Sequence, residues 1–161
     1  MITIIIRKDE KIEQGEYRGR EDIRHVVVEA GAIVPEEAFE ECSNITDVTL
    51  RLGATILDKA FRRCRSLEKL DITGEDVYIG ESSFEQCDKI KQVKITNSST
   101  VNKNAFNRCT GIKKIEIESG ADIYEAFKGL KELQEVSISN AEIHKRGFIQ
   151  CKIAKLNISQ N

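Results

Sequence analysis

Tryptophan is absent from this 161-residue chain, and proline occurs once, at Pro35. Without indole rings or proline-rich stretches, neither a sugar-stacking platform nor a long linker is expected. Long apolar runs are missing too: nothing approaches the ~20 residues of a membrane-spanning helix, and no membrane insertion is expected. The apolar start Met1–Ile6 meets Arg7, Lys8, Asp9, Glu10 and Lys11 at once, unlike the longer apolar core and small-residue cleavage site of a secretory signal. A cytoplasmic location is therefore expected. A signal removed upstream of Met1 would instead make the protein secreted or surface-bound. An excess of either charge is also lacking, with 25 Lys and Arg against 27 Asp and Glu, a net −2. Nucleic acid is thus not an expected partner.

Groups that carry chemistry are sparse. The two histidines, His25 and His144, are read as lying at a strand flank and in a turn, far apart. No Ser or Cys stands at an elbow beside a base, and no Gly-rich phosphate loop occurs. Five cysteines show no C-x-x-C pair and no zinc spacing. Catalytic residues, metal and cofactors are all expected to be none, and the chain is read as a non-enzyme.

What is present is repetition. Phe39, Phe61, Phe84, Phe106, Phe127 and Phe148 recur at gaps of 22, 23, 22, 21 and 21 residues. One template surrounds them, as in Ile56, Ala60, Phe61, Cys64, Leu67, Leu70 and Ile72. Cys42, Cys64, Cys87 and Cys109 share one register, which makes them a column of buried small groups; free thiols favour a reducing compartment. Such a period denotes one unit stacked as a solenoid, each coil covering its neighbours' apolar groups. Small residue, Phe, Cys and the next apolar residue fall at i, i+1, i+4 and i+7, the face of a short helix. The alternation in Lys69-Leu70-Asp71-Ile72-Thr73 is that of a half-buried strand. Gly53, Gly74, Asn97, Gly120 and Asn140 supply turns.

The ends deviate. Ile12, Glu16, Tyr17, Arg20, Ile23, Val26 and Val28 form a degenerate coil, and Ile4 and Ile6 precede Val26 and Val28 by 22 residues, which predicts a first strand over 2–6. A single domain over 1–161 of about seven coils results, degenerate over 1–30 and uncapped over 141–161.

Units such as ILDKAFRRCRSLEKLDI and VNKNAFNRCTGIKKIEI resemble the BspA-like class of leucine-rich repeat, with its A-F-x-x-C-x-x-L-x-x-I-x-I signature, over Ile12 to Ile158. The resemblance implies an α/β fold: a right-handed arc or horseshoe with a parallel concave β-sheet and short helical segments on the convex side. It also implies protein binding. Members are often surface proteins of bacteria and some protists, implicated in adhesion to host or matrix proteins.

Aligned coils expose two outward columns on the strand face. One runs Val27, Thr49, Asp71, Lys94, Glu116, Ser137, Asn157; the other runs His25, Asp47, Lys69, Gln92, Lys114, Glu135, Lys155. Asp71–Lys94–Glu116 is expected to form a row of opposite charges. The face carries no aromatic anchor, and a solvated sheet laced with weak ion pairs is the competing reading. The candidate partner-binding residues are His25, Val27, Thr49, Arg51, Asp71, Lys94, Glu116, Ser137 and Asn157. On the opposite side, acidic Glu36, Glu37, Glu40 and Glu41 face basic Lys59, Arg62, Arg63 and Arg65, an alternation that opposes slippage between coils. Phe148, Ile153, Leu156 and Ile158 form a candidate self-association edge. The leading function is a protein-interaction module. The alternatives are a self-assembling structural element, dimeric through one solenoid end, and host or matrix adhesion if the protein is exported.

Overall fold

The computed structural model describes residues 1–159; the last two residues of the 141–161 end segment lie outside that range. Six coils contribute one longer and one two-residue strand each, and a longer strand alone stands at either end. The longer strands are β1 (Ile2–Ile6), β2 (Ile23–Val28), β4 (Asp47–Leu50), β6 (Lys69–Ile72), β8 (Gln92–Ile95), β10 (Lys114–Ile117), β12 (Glu135–Ser139) and β14 (Lys155–Ser159). The short ones are β3 (Ile33–Val34), β5 (Thr55–Ile56), β7 (Tyr78–Ile79), β9 (Thr100–Val101), β11 (Asp122–Ile123) and β13 (Glu142–Ile143). All pairings are parallel, as the crossover around each coil requires. The result is a parallel-strand solenoid of about seven turns.

Period-two alternation sets the longer strands. Val26, Val48, Leu70, Val93, Ile115 and Val136 point inward and are buried, and the residues between them face out. The register follows the repeat alignment: Val48 stands opposite Leu70, Ile115 opposite Val93 and Val136. Ile4 and Ile6 pair with Val26 and Val28, so the chain does open on a strand.

The core is a column of rings. Tyr17, Phe39, Phe61, Phe84, Phe106, Phe127 and Phe148 stack in succession at centroid distances of 4.9 to 5.5 Å and interplanar angles of 2° to 11°. Beside it runs the thiol column, and all five cysteines are free. Each thiol donates to the carbonyl of the aromatic residue one coil earlier: Cys42 to Tyr17, Cys64 to Phe39, Cys87 to Phe61 and Cys109 to Phe84, at 2.9 to 3.2 Å. Cysteine here fills space and also satisfies a buried acceptor.

The expected helical segments are not formed; among the described residues there is no helix. Two left-handed residues four apart interrupt nearly every coil: Glu37 and Glu41 (φ 57° and 63°), Lys59 and Arg63 (57° and 62°), Ser82 and Gln86 (55° and 61°), Asn104 and Arg108 (58° and 59°). A helix needs consecutive right-handed residues. Instead the chain alternates its bonds. Ala38, Glu40 and Cys42 donate three residues back, closing tight turns, while Glu37, Phe39 and Glu41 donate to Asp58, Ala60 and Arg62 of the next coil. A left-handed non-glycine residue costs ~1–2 kcal/mol, and this ladder between coils offsets it. The periodicity i, i+1, i+4, i+7 was therefore that of a row of turns presenting one face inward.

The two-residue strands form a second sheet, β13-β11-β9-β7-β5-β3, continuous along the stack. The longer strands do not form one sheet. They split into β1-β2-β4-β6 and β14-β12-β10-β8, because β6 and β8 do not pair. The cause is one extra residue in the turn Thr73–Val77, five residues where the preceding turn over 51–54 has four. Gly74 accommodates it by lying against the previous coil, where an added Cβ would stand 2.0 Å from the Leu52 nitrogen. Side chains take over from the missing ladder. The Thr96 hydroxyl donates to the Gly74 carbonyl, and the Val77 N–H donates to the buried Ser99 Oγ at 3.1 Å.

Candidate functional site

The outward faces of the longer strands carry the candidate partner-binding residues. The register places Val27, Thr49 and Asp71 in one run and Lys94, Glu116, Ser137 and Asn157 in another. The nine residues expected on one continuous face are divided by the split between β6 and β8. The row Asp71–Lys94–Glu116 is not formed.

The charges pair otherwise than along that row. Lys69 Nζ reaches Asp71 at 3.0 Å and Lys114 Nζ reaches Glu116 at 2.5 Å, each within its own strand, and Lys94 Nζ meets Glu118 at 2.5 Å. Strand neighbours two residues apart share a face, so the first two pairs need no cross-strand reach, whereas Lys94 reaches across to the coil of β10. His25 Nδ1 lies 3.1 Å from Asp47 Oδ2, and Arg51 pairs with Glu29 at 2.9 Å. Further on, Asn157 donates to Glu135 at 2.9 Å and to Ser137 at 3.2 Å, and Lys155 meets Glu135 at 3.2 Å. Hydrogen bonds to Asp71, Glu118 and Glu116, reinforced by their charge, raise the ammonium pKa of Lys69, Lys94 and Lys114. The hydrogen bond from Lys155, then its charge, lowers that of Glu135.

Beside the split lies a pocket of about 90 Å³ lined by Gln92, Val93, Lys94, Lys114 and Glu116. Leu70 and Ile72, on the β6 side, retain 8% exposure each where most of the core is sealed. Amide, aliphatic floor and paired charges make this a place where a polar or charged side chain can dock over an apolar base. Gln92 and Lys114 belonged to the second column and were outside the candidate set. The pocket itself had no signal in the sequence beyond the 23-residue gap between Phe61 and Phe84.

At the candidate self-association edge, Phe148 is half-buried against Phe127 and Ile153 is half-buried, whereas Leu156 and Ile158 are 53% and 61% exposed. On the turn side the alternating charges do meet. Arg62 Nε donates to buried Glu40 at 2.5 Å, Arg63 pairs with Glu41 at 2.7 Å, and Lys59 with Glu37 at 3.4 Å.

His144 opens a turn, its carbonyl accepting from the Gly147 N–H at 3.0 Å, and at the same time extends a sheet. It follows β13, and its N–H bonds the Ile123 carbonyl at 3.0 Å, continuing the second sheet. There it joins Asp122, Tyr124 and Glu142, a group that sequence reasoning missed. The signal was present: Asp122-Ile123-Tyr124 stands 20 residues before Glu142-Ile143-His144, with the same alternation.

A family model described as BspA type leucine rich repeat region matches residues 10–124 and 123–161, in six copies. No curated protein matches the chain. Among solved structures, a leucine-rich repeat protein from Bacteroides ovatus ATCC 8483 superposes with a TM-score of 0.76 at 19% identity over 95% of this chain. The chain spans 42% of that protein's length, and the likeness at this identity is one of fold.

Proposed function

Since the chain belongs to the BspA-type leucine-rich-repeat family, we propose that it is a protein-interaction module whose contact surface is the longer-strand face at the split between β6 and β8. The observation that carries this reading is the pocket at Gln92, Val93, Lys94, Lys114 and Glu116, where the otherwise self-paired face opens beside a row of backbone groups without a strand partner. Rigid parallel strands hold its side chains at fixed spacing, so a partner loses little of its binding energy to ordering this surface. The ion pairs flanking the pocket select by charge more than they add affinity.

Affinity capture from native lysate should yield a saturable protein partner, and Lys94→Glu should abolish capture while circular dichroism stays unchanged. Retention of the partner by Lys94→Glu and by Glu116→Lys moves the contact surface elsewhere. The free thiols support a reducing, cytoplasmic setting.

A second reading rests on the exposure of Leu156 and Ile158 on β14, which among the described residues is flanked by β12 on one side only. Two copies joining along β14 would extend the sheet across a two-fold axis. Light scattering distinguishes the readings: a concentration-dependent dimer abolished by Leu156→Asp supports self-assembly, and a monomer at high concentration removes it.

A further inference from the structure

The second sheet places four functional side chains on one outward patch. Asp122 stands opposite Glu142 in the β11–β13 register, and Tyr124 and His144, two residues further along each strand, face one another. His144 Nε2 is 2.6 Å from Asp122 Oδ1 and 3.6 Å from Glu142 Oε1. One donor atom from each of Asp122, Glu142 and His144 falls within 4.8 Å of the other two. The repeat supplies its own comparison. At the corresponding positions of earlier coils stand Ile33 and Pro35, Thr55 and Leu57, Tyr78 and Gly80, Thr100 and Asn102, with neither carboxylate nor imidazole. The grouping belongs to this one junction and does not come with the repeat.

We propose that Asp122, Glu142 and His144 form a binding site for a divalent transition metal of the zinc class, with a fourth position open to water or to a partner's side chain. Ligand atoms about 2.0–2.2 Å from a tetrahedral zinc lie about 3.4 Å apart. The His144–Glu142 separation of 3.6 Å already meets this, and the closer Asp122–His144 pair opens by a small rotation of the half-buried Asp122 carboxylate. An imidazole nitrogen with two carboxylates suits zinc and its neighbours better than calcium or magnesium, which take oxygen ligands. Tyr124 orients the ligands. Its hydroxyl donates to Asp122 Oδ2 at 2.6 Å, leaving Oδ1 toward the site, and its ring stacks on His144 at 4.0 Å and 12°. Metal takes the place of the hydrogen bond between His144 Nε2 and Asp122 Oδ1.

Titration calorimetry of the EDTA-dialysed full chain with zinc chloride should show one ion per chain, with cobalt(II) giving the visible absorption of tetrahedral coordination. Binding should be lost in His144→Ala and in Asp122→Asn, fall roughly 10–100-fold in Tyr124→Phe, and be unchanged in Cys151→Ser and in excess magnesium or calcium. In the unaltered chain, zinc should shift the His144 ring resonances and leave those of His25 in place, a readout that does not depend on any variant folding. Absence of saturable uptake, an unmoved His144 ring, uptake surviving His144→Ala and Asp122→Asn, loss in Cys151→Ser, or equal binding of calcium would each overturn the assignment.

Discussion

Phe84 sits between Phe61 and Phe106 at 5.3 and 5.5 Å and has no exposure. Truncating it opens a void that rigid neighbouring rings cannot fill, and Phe84→Ala should cost roughly 3–5 kcal/mol in urea unfolding. Tyr17 heads the same column at 4.9 Å from Phe39, so an aromatic ring at the repeat position is retained even in the degenerate coil. The thiols beside the rings make a second prediction. Burial pushes Cys42 up to about 11 from its ordinary 9.0 and raises Cys64, Cys87 and Cys109 as well. A thiol whose pKa is higher folded than unfolded contributes stability that is intact below the unfolded value. That stability drains as pH climbs toward the folded value, because only the unfolded chain releases the proton. Melting temperature should therefore hold through neutral pH and fall steadily as pH climbs through the ordinary thiol range, about 8.5 to 9. Below that range a thiol reagent such as DTNB should leave Cys64, Cys87 and Cys109 unmodified unless urea is added.

Among the elements, the split between β6 and β8 is where backbone geometry and side-chain chemistry trade places. Gly74→Ala would drive a methyl group into the backbone of Leu52. The coil must shift to relieve it, at roughly 1–3 kcal/mol as for other overpacked sites. Thr96→Val removes the hydroxyl that serves the Gly74 carbonyl and lies 3.1 Å from Ser99 Oγ, a loss of about 1–3 kcal/mol as the buried acceptor goes unpaired. Equilibrium denaturation of both variants against the parent checks the pair, and Ser82→Ala, away from the split, should cost less than either. The longer strands were legible beforehand because period two has one interpretation when inward positions are Val, Leu or Ile. The turn rows were misread as helix. Their spacing matches a helical face, while the left-handed residues at Glu37, Lys59 and Ser82 carry no sequence mark of their own. Gly15, Gly19 and Gly129, left-handed at 66°, 69° and 70° in the same rows, hinted at the real conformation.

Over the whole molecule, stability is a chain of neighbour contacts, so a weak junction is felt locally before it is felt globally. By the register of the other strands, the N–H groups of Gln92 and Lys94 point toward β6, where no ladder receives them. Their amides should exchange with deuterium faster than those of Lys114 and Glu116, one coil on, which meet β8. Uniform protection across the four would show the sheet to be closed in solution. The second sheet and the turn rows cross this junction unbroken, as in the bonds from Phe61 to Ser83 and from Gly80 to Ile56, so the halves remain joined on two sides.

A 22-residue period, a ring and a thiol in each central unit, and alternating strands were enough to determine a stack of parallel coils and the register between them. Those features depend on burial, which a sequence encodes as apolar spacing. The tertiary structure alone decided which junction would open, that His144 and Glu142 would meet Asp122, and which charge would pair with which. Each of these turns on small differences of backbone path across a coil boundary. One added residue at Thr73–Val77, or one matched alternation at 122–124 and 142–144, sets them without disturbing the apolar pattern at all.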